Sequence, residues 1–323
     1  MLRIASSALT VLLLLIAGVG PSAADYPERP LTILTGYPAG GMVDIVVRAL
    51  SESIKKKYPK GVGIVSRPGA GGSLAVAELV QAKPDGYTLI LAPLSTLVIH
   101  PQLHDLPYKT PDDYEAIINV VSFYSLVTVK ADTPWKTIQE LVAAAKASPG
   151  KLRMGSPGEG TSSHLNFEEM KRLSGANFTH VPFSGWGESS PALLGGHIEA
   201  LMAQPGEVKP LVDGGKLRVL MVSQAKRHPA FPEAPTAKEL GWGDTPSGAW
   251  FVFVAPKGTP GAVQKYVHDT VKVAMDDPQF VNTIKQRVID IDYRAGDQLR
   301  ADLRKEHKFH TDVLTRLGMI KKK

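Results

Sequence analysis

The sequence predicts an α/β fold of two lobes, each a mostly parallel sheet flanked by helices, with a ligand cleft between the lobes. The chain has 323 residues, 43% of them hydrophobic, a length that favours two domains over one. Runs of β-forming residues alternate with amphipathic helical patterns. Each half also contains a strand that ends in a glycine-rich loop and is followed by a helix.

Strand and helix patterns alternate through the first half of the chain. The predicted elements are, in order, the strand LTILTG, the helix DIVVRALSESIKKKY, the strand GIVSR, the helix GGSLAVAELVQAK and the strand YTLILAP. The first helix places Ile45, Val46, Leu50 and Ile54 near one face, as an amphipathic helix does. This alternation predicts parallel strands joined by right-handed crossovers.

The second half repeats the plan. The predicted strands are YSLVTVK, KLRMGSP, FTHVPF, IEALMA, GKLRVLMVS and AWFVFVAP, and the predicted helices are TIQELVAAAKASPG, SSHLNFEEMKRLSG, VQKYVHDTVKVAMDD and DQLRADLRKEHKFHTDVLTRLG. We expect the chain to pass between the lobes near residues 125 and 245. The first lobe then comprises residues 25–125 and 246–323, and the second comprises residues 126–245.

Residues 1–24 have the pattern of a secretory signal peptide. Arg3 precedes an apolar run over residues 8–19, and Ser22 and Ala24 are small residues before a cleavage position. The apolar run is too short to span a bilayer. A buried N-terminal helix is the alternative, and the signal peptide predicts a periplasmic protein.

Composition excludes several classes of protein. Cysteine is absent, which excludes a disulfide framework, a thiolate nucleophile, a cysteine zinc site and a lipidated N-terminal cysteine. The net charge is +6, but the KKK runs at 55–57 and 321–323 are short and far apart. A nucleic-acid partner would need a clustered basic face, so none is predicted. A mildly basic surface suits a small anionic ligand.

The first glycine-rich loop is YPAGG, at residues 37–41. Such a loop before a helix presents unpaired N–H groups and the positive end of the helix dipole, which together bind anions. Gly40 and Gly41 let a ligand approach the backbone. A tight structural turn is the alternative. No lysine follows to hold a phosphate, and RPGAGGSLA at 67–75 lacks dinucleotide-binding spacing.

The second glycine-rich loop, GSPGEGTSSH, carries more polar groups. Its hydroxyls and small residues are Ser156, Gly158, Gly160, Thr161, Ser162 and Ser163. One hydroxyl suffices to cap the next helix, so the others predict a carboxylate-binding pocket. Both loops follow strands, and ligands bind at the carboxyl ends of strands in such sheets. We therefore expect the two loops to face each other across the cleft.

No catalytic constellation follows from the sequence. Ser162 and Ser163 adjoin His164, but neighbours on a helix do not face one another, so no nucleophile–base pair is implied. A G-x-S-x-G motif is also absent.

No metal site is predicted either. His100 and His104 have the spacing of helical metal ligands, but Pro101 lies between them and a third ligand is missing. His307 and His310 lie in a charged C-terminal segment, where we expect a solvated helix face.

Five blocks of sequence resemble a known family. They are YPERPLTILTGYPAGGMVDIVVRAL, SRPGAGGSLAVAELVQAKPDGYTLILA, GSPGEGTSSHL, THVPFSGWGESSPALLGGHIEALMA and GKLRVLMVS. In this order and spacing the chain resembles the periplasmic receptors of tripartite tricarboxylate transporters, the Bug family. The resemblance implies a type II-like periplasmic binding protein that closes over its ligand, without a cofactor or metal.

The resemblance also implies which residues bind the ligand. In the family, the Pro-Ala-Gly-Gly loop and polar groups of the second lobe hold one carboxylate, partly through ordered waters. Asp44 would order the loop or its waters, with compensation of the helix dipole as the alternative. The implied binding residues are Tyr37, Ala39, Gly40, Gly41, Asp44, Ser95, Thr96, Ser156, Gly158, Thr161, Ser162 and His164.

The chain departs from the family pattern after the strand IEALMA. Many members have Met-Phe-Asp-Asn there, whereas this chain has Met202, Ala203, Gln204 and Pro205. Without that acid an ammonium group loses its natural partner, so we expect aspartate and glutamate to bind poorly. Gln204 is the candidate ligand contact at this position.

Three aromatic residues, Tyr37, Trp186 and Trp250, are candidates for the rest of the pocket. Trp250 adjoins the segment FVFV, so core packing is an equal alternative for it. If these rings line the cleft, a dicarboxylate with a long aliphatic or aromatic body fits better than citrate.

The predicted function is that of a monomeric, non-enzymatic receptor that captures an organic carboxylate and delivers it to membrane permease subunits. Its affinity would come from N–H groups and hydroxyls in a site that closure makes drier. The alternatives are a ligand sensor for a membrane signalling partner and a secreted hydrolase that uses Ser162 or Ser163.

Overall fold

The computed structural model describes residues 26–223, 226–242 and 248–320. The predicted signal peptide at residues 1–24 and the predicted lobe boundary at residues 245–246 lie outside the described residues. Within the described ranges, no helix is long and apolar enough to cross a membrane.

The first lobe is built on a six-stranded sheet of the described residues. Its strands are β1 (Leu31–Thr35), β2 (Val62–Ser66), β3 (Thr88–Pro93), β4 (Tyr114–Phe123), β10 (Ala249–Pro256) and β11 (Asp290–Ala295). They lie in the order β11–β4–β10–β3–β1–β2. The chain leaves this sheet after β4 and returns to it at β10.

The second lobe is built on a sheet that has five strands among the described residues. Its strands are β5 (Leu126–Lys130), β6 (Arg153–Ser156), β7 (Thr179–Pro182), β8 (Ala200–Ala203) and β9 (Leu217–Val222). Their order is β7–β6–β8–β5–β9.

Helices cover both sheets. They are α1 (Met42–Lys55), α2 (Ser73–Val80), α3 (His100–Leu103), α4 (Ile138–Ala147), α5 (Ser162–Ser174), α6 (Trp186–Leu194), α7 (Pro205–Asp213), α8 (Gly261–Met275), α9 (Pro278–Gln286) and α10 (Gly296–Arg316). A π-helical segment, Ser95–Ile99, joins β3 to α3.

Both sheets are mixed, whereas the sequence pattern predicted mostly parallel ones. Strand β1 is parallel to β2 and β3, and β6 is parallel to β7 and β8. The strands next to the passages between the lobes pair in the opposite direction: β10 is antiparallel to β3 and β4, and β5 is antiparallel to β8 and β9. Only two residues lie between β4 of the first sheet and β5 of the second, so the chain passes directly from one lobe to the other at this point.

The first sheet is buried on both faces, as alternate residues of β10 demonstrate. Phe251 and Phe253 belong to a core with α1 and α8, whereas Trp250 and Val252 belong to a second core with α2 and α10. Successive side chains of a strand point to opposite faces, so one apolar run supplies both cores.

Several elements were not predicted from the sequence. They are the strands β4 and β11 and the helices α3, α6, α7 and α9. Proline and glycine interrupt the helical pattern in two of them, since α6 contains Pro191 and α7 contains Gly206 and Pro210. These residues disfavour a helix in isolation, so α6 and α7 form because they pack against the sheet.

The expectation of a solvated face at His307 and His310 is wrong. His310 is fully buried, and His307 is partly buried with its Nε2 3.2 Å from the Lys109 carbonyl oxygen. The apolar residues of α10, including Leu303 and Leu314, pack into the first-lobe core, which draws the neighbouring histidines against the protein.

Candidate ligand-binding site

A cavity of about 260 Å³ lies between residues of the two lobes. The first lobe contributes residues 37–43, Pro93, Ser95, Ala249 and Phe251, and the second contributes Pro157, residues 161–163, residues 184–188, Gln204 and Glu207. The two glycine-rich loops thus face each other across one cavity.

Four helices begin at the wall of this cavity. The residues that immediately precede α1, α5, α6 and α7 are Gly41, Thr161, Gly185 and Gln204, and all four line the cavity. Gly41 and Gly185 have no side chain to cap the first-turn N–H groups. Unpaired N–H groups and the positive ends of helix dipoles therefore converge on one space, which is favourable for an anion.

Asp44 fixes the shape of the first loop. Its Oδ2 accepts a hydrogen bond from the Gly40 N–H at 3.0 Å, and the Arg48 guanidinium donates to both carboxylate oxygens at 2.8 and 2.9 Å. Asp44 is buried and does not line the cavity. The Gly40 N–H is therefore already hydrogen-bonded within the protein, and the N–H groups at the start of α1 remain to face the ligand space.

A neighbouring loop supports the first loop from behind. Tyr37 lines the cavity, and its hydroxyl donates to the Gly71 carbonyl at 2.8 Å. Thr96 is buried outside the cavity lining and donates to the same carbonyl at 2.9 Å, whereas Ser95 lines the cavity. A Cβ on Gly36 would lie 2.5 Å from the Gly72 Cα, so glycine is required where the two loops touch.

The hydroxyls of the second loop have different tasks. Thr161 Oγ1 caps α5 by accepting from the His164 N–H at 3.2 Å, and it donates to the Gly158 carbonyl at 2.8 Å. Ser163 Oγ lies 3.0 Å from Ser125 Oγ. Ser162 lines the cavity and is only 4% exposed, yet its Oγ has no protein partner. Ser162 is thus the buried hydroxyl of this loop that is free for a ligand.

Three residues expected at the site lie behind the second loop instead of in the cavity wall. Ser156 Oγ donates to the Gly158 carbonyl at 3.1 Å and lies 2.8 Å from His180 Nε2. His164 Nδ1 accepts from the Gly160 N–H at 3.1 Å. None of Ser156, Gly158 and His164 is part of the lining, so their bonds shape the loop.

The histidines beneath this loop are neutral at neutral pH. His164 and His180 stack with ring centroids 4.1 Å apart and an interplanar angle of 7°. Burial lowers the pKa of each to about 4. Neither ring therefore supplies a positive charge to an anion at neutral pH.

The two tryptophans separate between cavity and core. Trp186 lines the cavity, as expected. Trp250, a candidate for which core packing was the equal alternative, does not line the cavity: it is buried in the second core of the first lobe, with the Arg294 guanidinium 3.9 Å from its ring centroid. Its neighbours Ala249 and Phe251 line the cavity instead, because alternate residues of a strand face opposite sides.

Sequence reasoning missed an acid in the cavity wall. Glu207 lines the cavity beside Gln204, and its Oε2 accepts from the Gln204 N–H at 3.2 Å. Burial raises its pKa to about 8. The absence of an acid at Gln204 therefore does not leave the cavity without one. The one signal in the sequence was a glutamate three residues after Gln204, which is the position of the acid in a capping box before a helix.

The cavity is suited to binding more than to chemistry. Among the described residues, its lining contains no lysine or arginine, and its acids are Glu188 and Glu207. Neither Ser162 nor Ser163 is hydrogen-bonded to a histidine among the described residues, so the nucleophile–base pair that the hydrolase alternative requires does not form, in agreement with the sequence analysis. In the described part of the chain, no cluster of three or more acidic or histidine side chains is arranged to hold a metal ion.

Comparison with solved structures defines the class of protein. The chain superimposes on the periplasmic binding protein BugD with a TM-score of 0.84 at 27% identity, covering 92% of this chain and 100% of that one. MatC from Rhodopseudomonas palustris with bound malate gives a TM-score of 0.82 at 26% identity, covering 90% and 100%. The two-lobed α/β fold of a solute-binding protein is thereby confirmed.

Sequence comparison gives the family. Residues 46–323 match the model of the tripartite tricarboxylate transporter family receptor, and the chain belongs to this family. It is also 37% identical over 322 residues to the UPF0065 protein in the gbd 5′ region of Cupriavidus necator, covering 99% of this chain and 97% of that protein. These relatives place the protein among solute-binding receptors and not among enzymes.

Proposed function

We propose that this protein is a periplasmic receptor that captures an organic carboxylate, preferentially a dicarboxylate, and delivers it to the membrane permease subunits of its transporter. The observation that carries the proposal is the convergence of four helix N-termini on one cavity whose described lining residues include no lysine or arginine. Backbone N–H groups and hydroxyls then hold the anion. The structural similarity to MatC with bound malate supports the same ligand class.

Ligand contacts are assigned within this proposal to residues that line the cavity. Those from the predicted set are Tyr37, Ala39, Gly40, Gly41, Ser95, Thr161, Ser162, Trp186 and Gln204. Asp44, Thr96, Ser156, Gly158 and His164 position these residues through the hydrogen bonds described above. The assigned groups are mostly uncharged, so affinity depends on their number and alignment more than on one ion pair.

The proposal includes an exported, monomeric protein. Removal of residues 1–24 would release the chain to the periplasm, where the lobes, divided near residues 125 and 245, close over the ligand. Closure removes water from the cavity and strengthens each hydrogen bond to the anion.

A thermal-shift series tests the proposal. The purified chain is mixed with unbranched C4–C8 dicarboxylates, malate, citrate and aromatic monocarboxylates, and each hit is measured by calorimetry. We expect stabilisation that rises with ligand concentration, because a ligand that binds only the native state stabilises it. Absence of stabilisation by every acid would contradict the proposal.

A further inference from the structure

Glu207 lies at a specific place in the cavity wall. It is the third residue of α7, directly after Pro205 and Gly206. Its Oε2 accepts the Gln204 N–H at 3.2 Å, whereas its Oε1 has no protein partner among the described residues. A carboxyl group with one oxygen anchored and the other free in a ligand cavity is positioned to contact a ligand.

Few charged groups surround Glu207. Tyr37 and Glu188 are the other titratable side chains of the cavity lining. On α7 itself Lys209 pairs with Asp213, and on the packed strand β9 Arg218 donates to the Trp135 carbonyl at 3.4 Å.

The first lobe contacts the start of α7 through the backbone of Arg287. It approaches α7 with the carbonyl of Arg287, 2.0 Å from where a Cβ on Gly206 would lie. The nearest atom in this contact is therefore a backbone oxygen, which carries no positive charge. An ionised Glu207 would thus lack a partner of opposite charge in the cavity wall.

The ligand class decides which protonation state is compatible with binding. A bound carboxylate and an ionised Glu207 would repel each other in a cavity without lysine or arginine. A protonated carboxyl instead becomes a hydrogen-bond donor while keeping an acceptor. Burial already raises the pKa of Glu207 to about 8, and an adjacent anion raises it further.

We propose that Glu207 is a specificity-determining residue that binds the ligand as a neutral carboxylic acid, donating a hydrogen bond from Oε1 to a second acceptor group of the ligand. The receptor thereby selects acids that carry a further carboxylate or carbonyl and discriminates against those that present an ammonium group. This inference rests on the proposed function. It also restores the expectation of weak amino-acid binding, for a different reason: the acid is present but does not carry a charge.

Calorimetry against pH is the first test. The ligand is the unbranched C4–C8 dicarboxylate that binds tightest in the thermal-shift series, because such ligands stay fully ionised from pH 7 to 9. We expect binding about tenfold weaker at pH 9 than at pH 7, since one proton with a pKa of about 8 is required. Repeating the titration at pH 9 in buffers of different ionisation enthalpy should show uptake of about 0.9 proton per ligand.

Variants separate this role from helix capping. Glu207→Gln cannot ionise but keeps a donor and the capping geometry, so its affinity should be the same at pH 7 and pH 9, with no proton uptake. Glu207→Met removes the donor and should weaken binding about 10- to 100-fold. Because the Met variant also loses the cap, thermal unfolding accompanies its titration, and the Gln variant alone suffices if the Met variant does not fold.

Glu140→Gln is the matched control. Glu140 is likewise the third residue of its helix, α4, and accepts from the Thr137 N–H at 3.0 Å, but it is exposed and outside the cavity. This variant should keep the wild-type pH dependence.

The outcomes distinguish the inference from the proposed function. Dicarboxylate binding that is independent of pH, or equally pH-dependent in Glu207→Gln, overturns the role of Glu207 and leaves the receptor function standing. Tighter binding of the 2-amino derivative of the same dicarboxylate, strengthening as pH rises, also overturns it, because Glu207 would then act as an anion. Absence of binding by any acid at any pH overturns both.

Discussion

Gly40 and Gly41 contribute to the first loop in different ways. Gly40 has φ +85°, a left-handed conformation that costs a residue with a side chain about 1–2 kcal/mol, and its N–H is bonded to Asp44. Gly41 has φ −78° and ψ 172°, which any residue adopts. A Cβ there would have only the Pro38 oxygen nearby, at 3.7 Å. The backbone conformation therefore does not require glycine at position 41, and the effect of glycine there is to leave space in the cavity.

Gly41→Val should abolish most ligand binding without unfolding the protein. The branched side chain would occupy the space beside the first N–H groups of α1, and we expect affinity for a dicarboxylate to fall about tenfold or more. Calorimetry gives the affinity, and thermal unfolding shows whether the fold persists. Gly261→Val is the control, because Gly261 also has open space around it but lies at the start of α8, away from the cavity. Wild-type affinity in Gly41→Val would contradict this role of the first loop.

At the scale of elements, helix starts determine the site. The helices α5 and α4 begin with the same device, a threonine whose Oγ1 accepts a first-turn N–H, from His164 in one case and Glu140 in the other, both at 3.2 Å. Only Thr161 lines the cavity. The two helices therefore form a natural pair for separating stability from binding.

Thr161→Ala and Thr137→Ala should both lower stability, but only Thr161→Ala should weaken binding. Loss of either cap should lower the free energy of unfolding by about 1 kcal/mol. Thr161→Ala also frees the Gly158 carbonyl, to which Thr161 donates, so the second loop loses its shape and dicarboxylate affinity falls. Denaturant unfolding and calorimetry measure the two quantities. The same affinity in both variants would show that the second loop does not depend on its cap.

At the scale of the whole molecule, the lobes touch beneath the second loop. Glu169 of α5 is buried and pairs with Arg172 of its own helix at 2.8 Å and with Arg316 of the first-lobe helix α10 at 2.9 Å. His100 of the first lobe packs on Gly160, where a Cβ would lie 3.2 Å from its Nε2. The loop that faces the ligand is thus also part of the contact between the lobes.

Acid should destabilise the protein between pH 6.5 and about 4. Burial lowers the pKa of four histidines to about 4: His100, His164, His180 and His310. In this interval the unfolded chain therefore binds more protons than the native protein, and the free energy of unfolding decreases as the pH is lowered. Glu207 acts in the opposite direction, because its pKa of about 8 makes the native state bind the extra proton from pH 8 down to its unfolded value. The contribution of the single Glu207 to the free energy of unfolding is smaller than the opposite contribution of the four histidines.

Denaturant unfolding at a series of pH values measures this dependence. His310→Gln should reduce the slope of unfolding free energy against pH by up to about 1.4 kcal/mol per pH unit. A flat profile between pH 4 and 6.5 would contradict the buried, neutral state of these rings.

Much of the fold was predictable from local pattern. The strands β1, β3 and β6, the helices α1 and α5, and the loops between them lie where periodicity and glycine placed them, because their sequences agree with their structure at the local level. The helices α6 and α7 were not predictable in this way. Their internal prolines argue against a helix, and only docking on the second sheet compensates for that cost.

The sequence by itself determined the family, the two glycine-rich loops and the absence of lysine and arginine among the predicted ligand contacts. Only the tertiary structure decided which groups reach the cavity. Trp250 lies in the core because alternate residues of β10 face opposite sides of the sheet. His164 and Ser156 lie behind the second loop, and Glu207 lies in the cavity wall. The reason is physical: sequence spacing fixes which residues share a strand or helix face, but the packing of one lobe against the other decides which face borders the ligand.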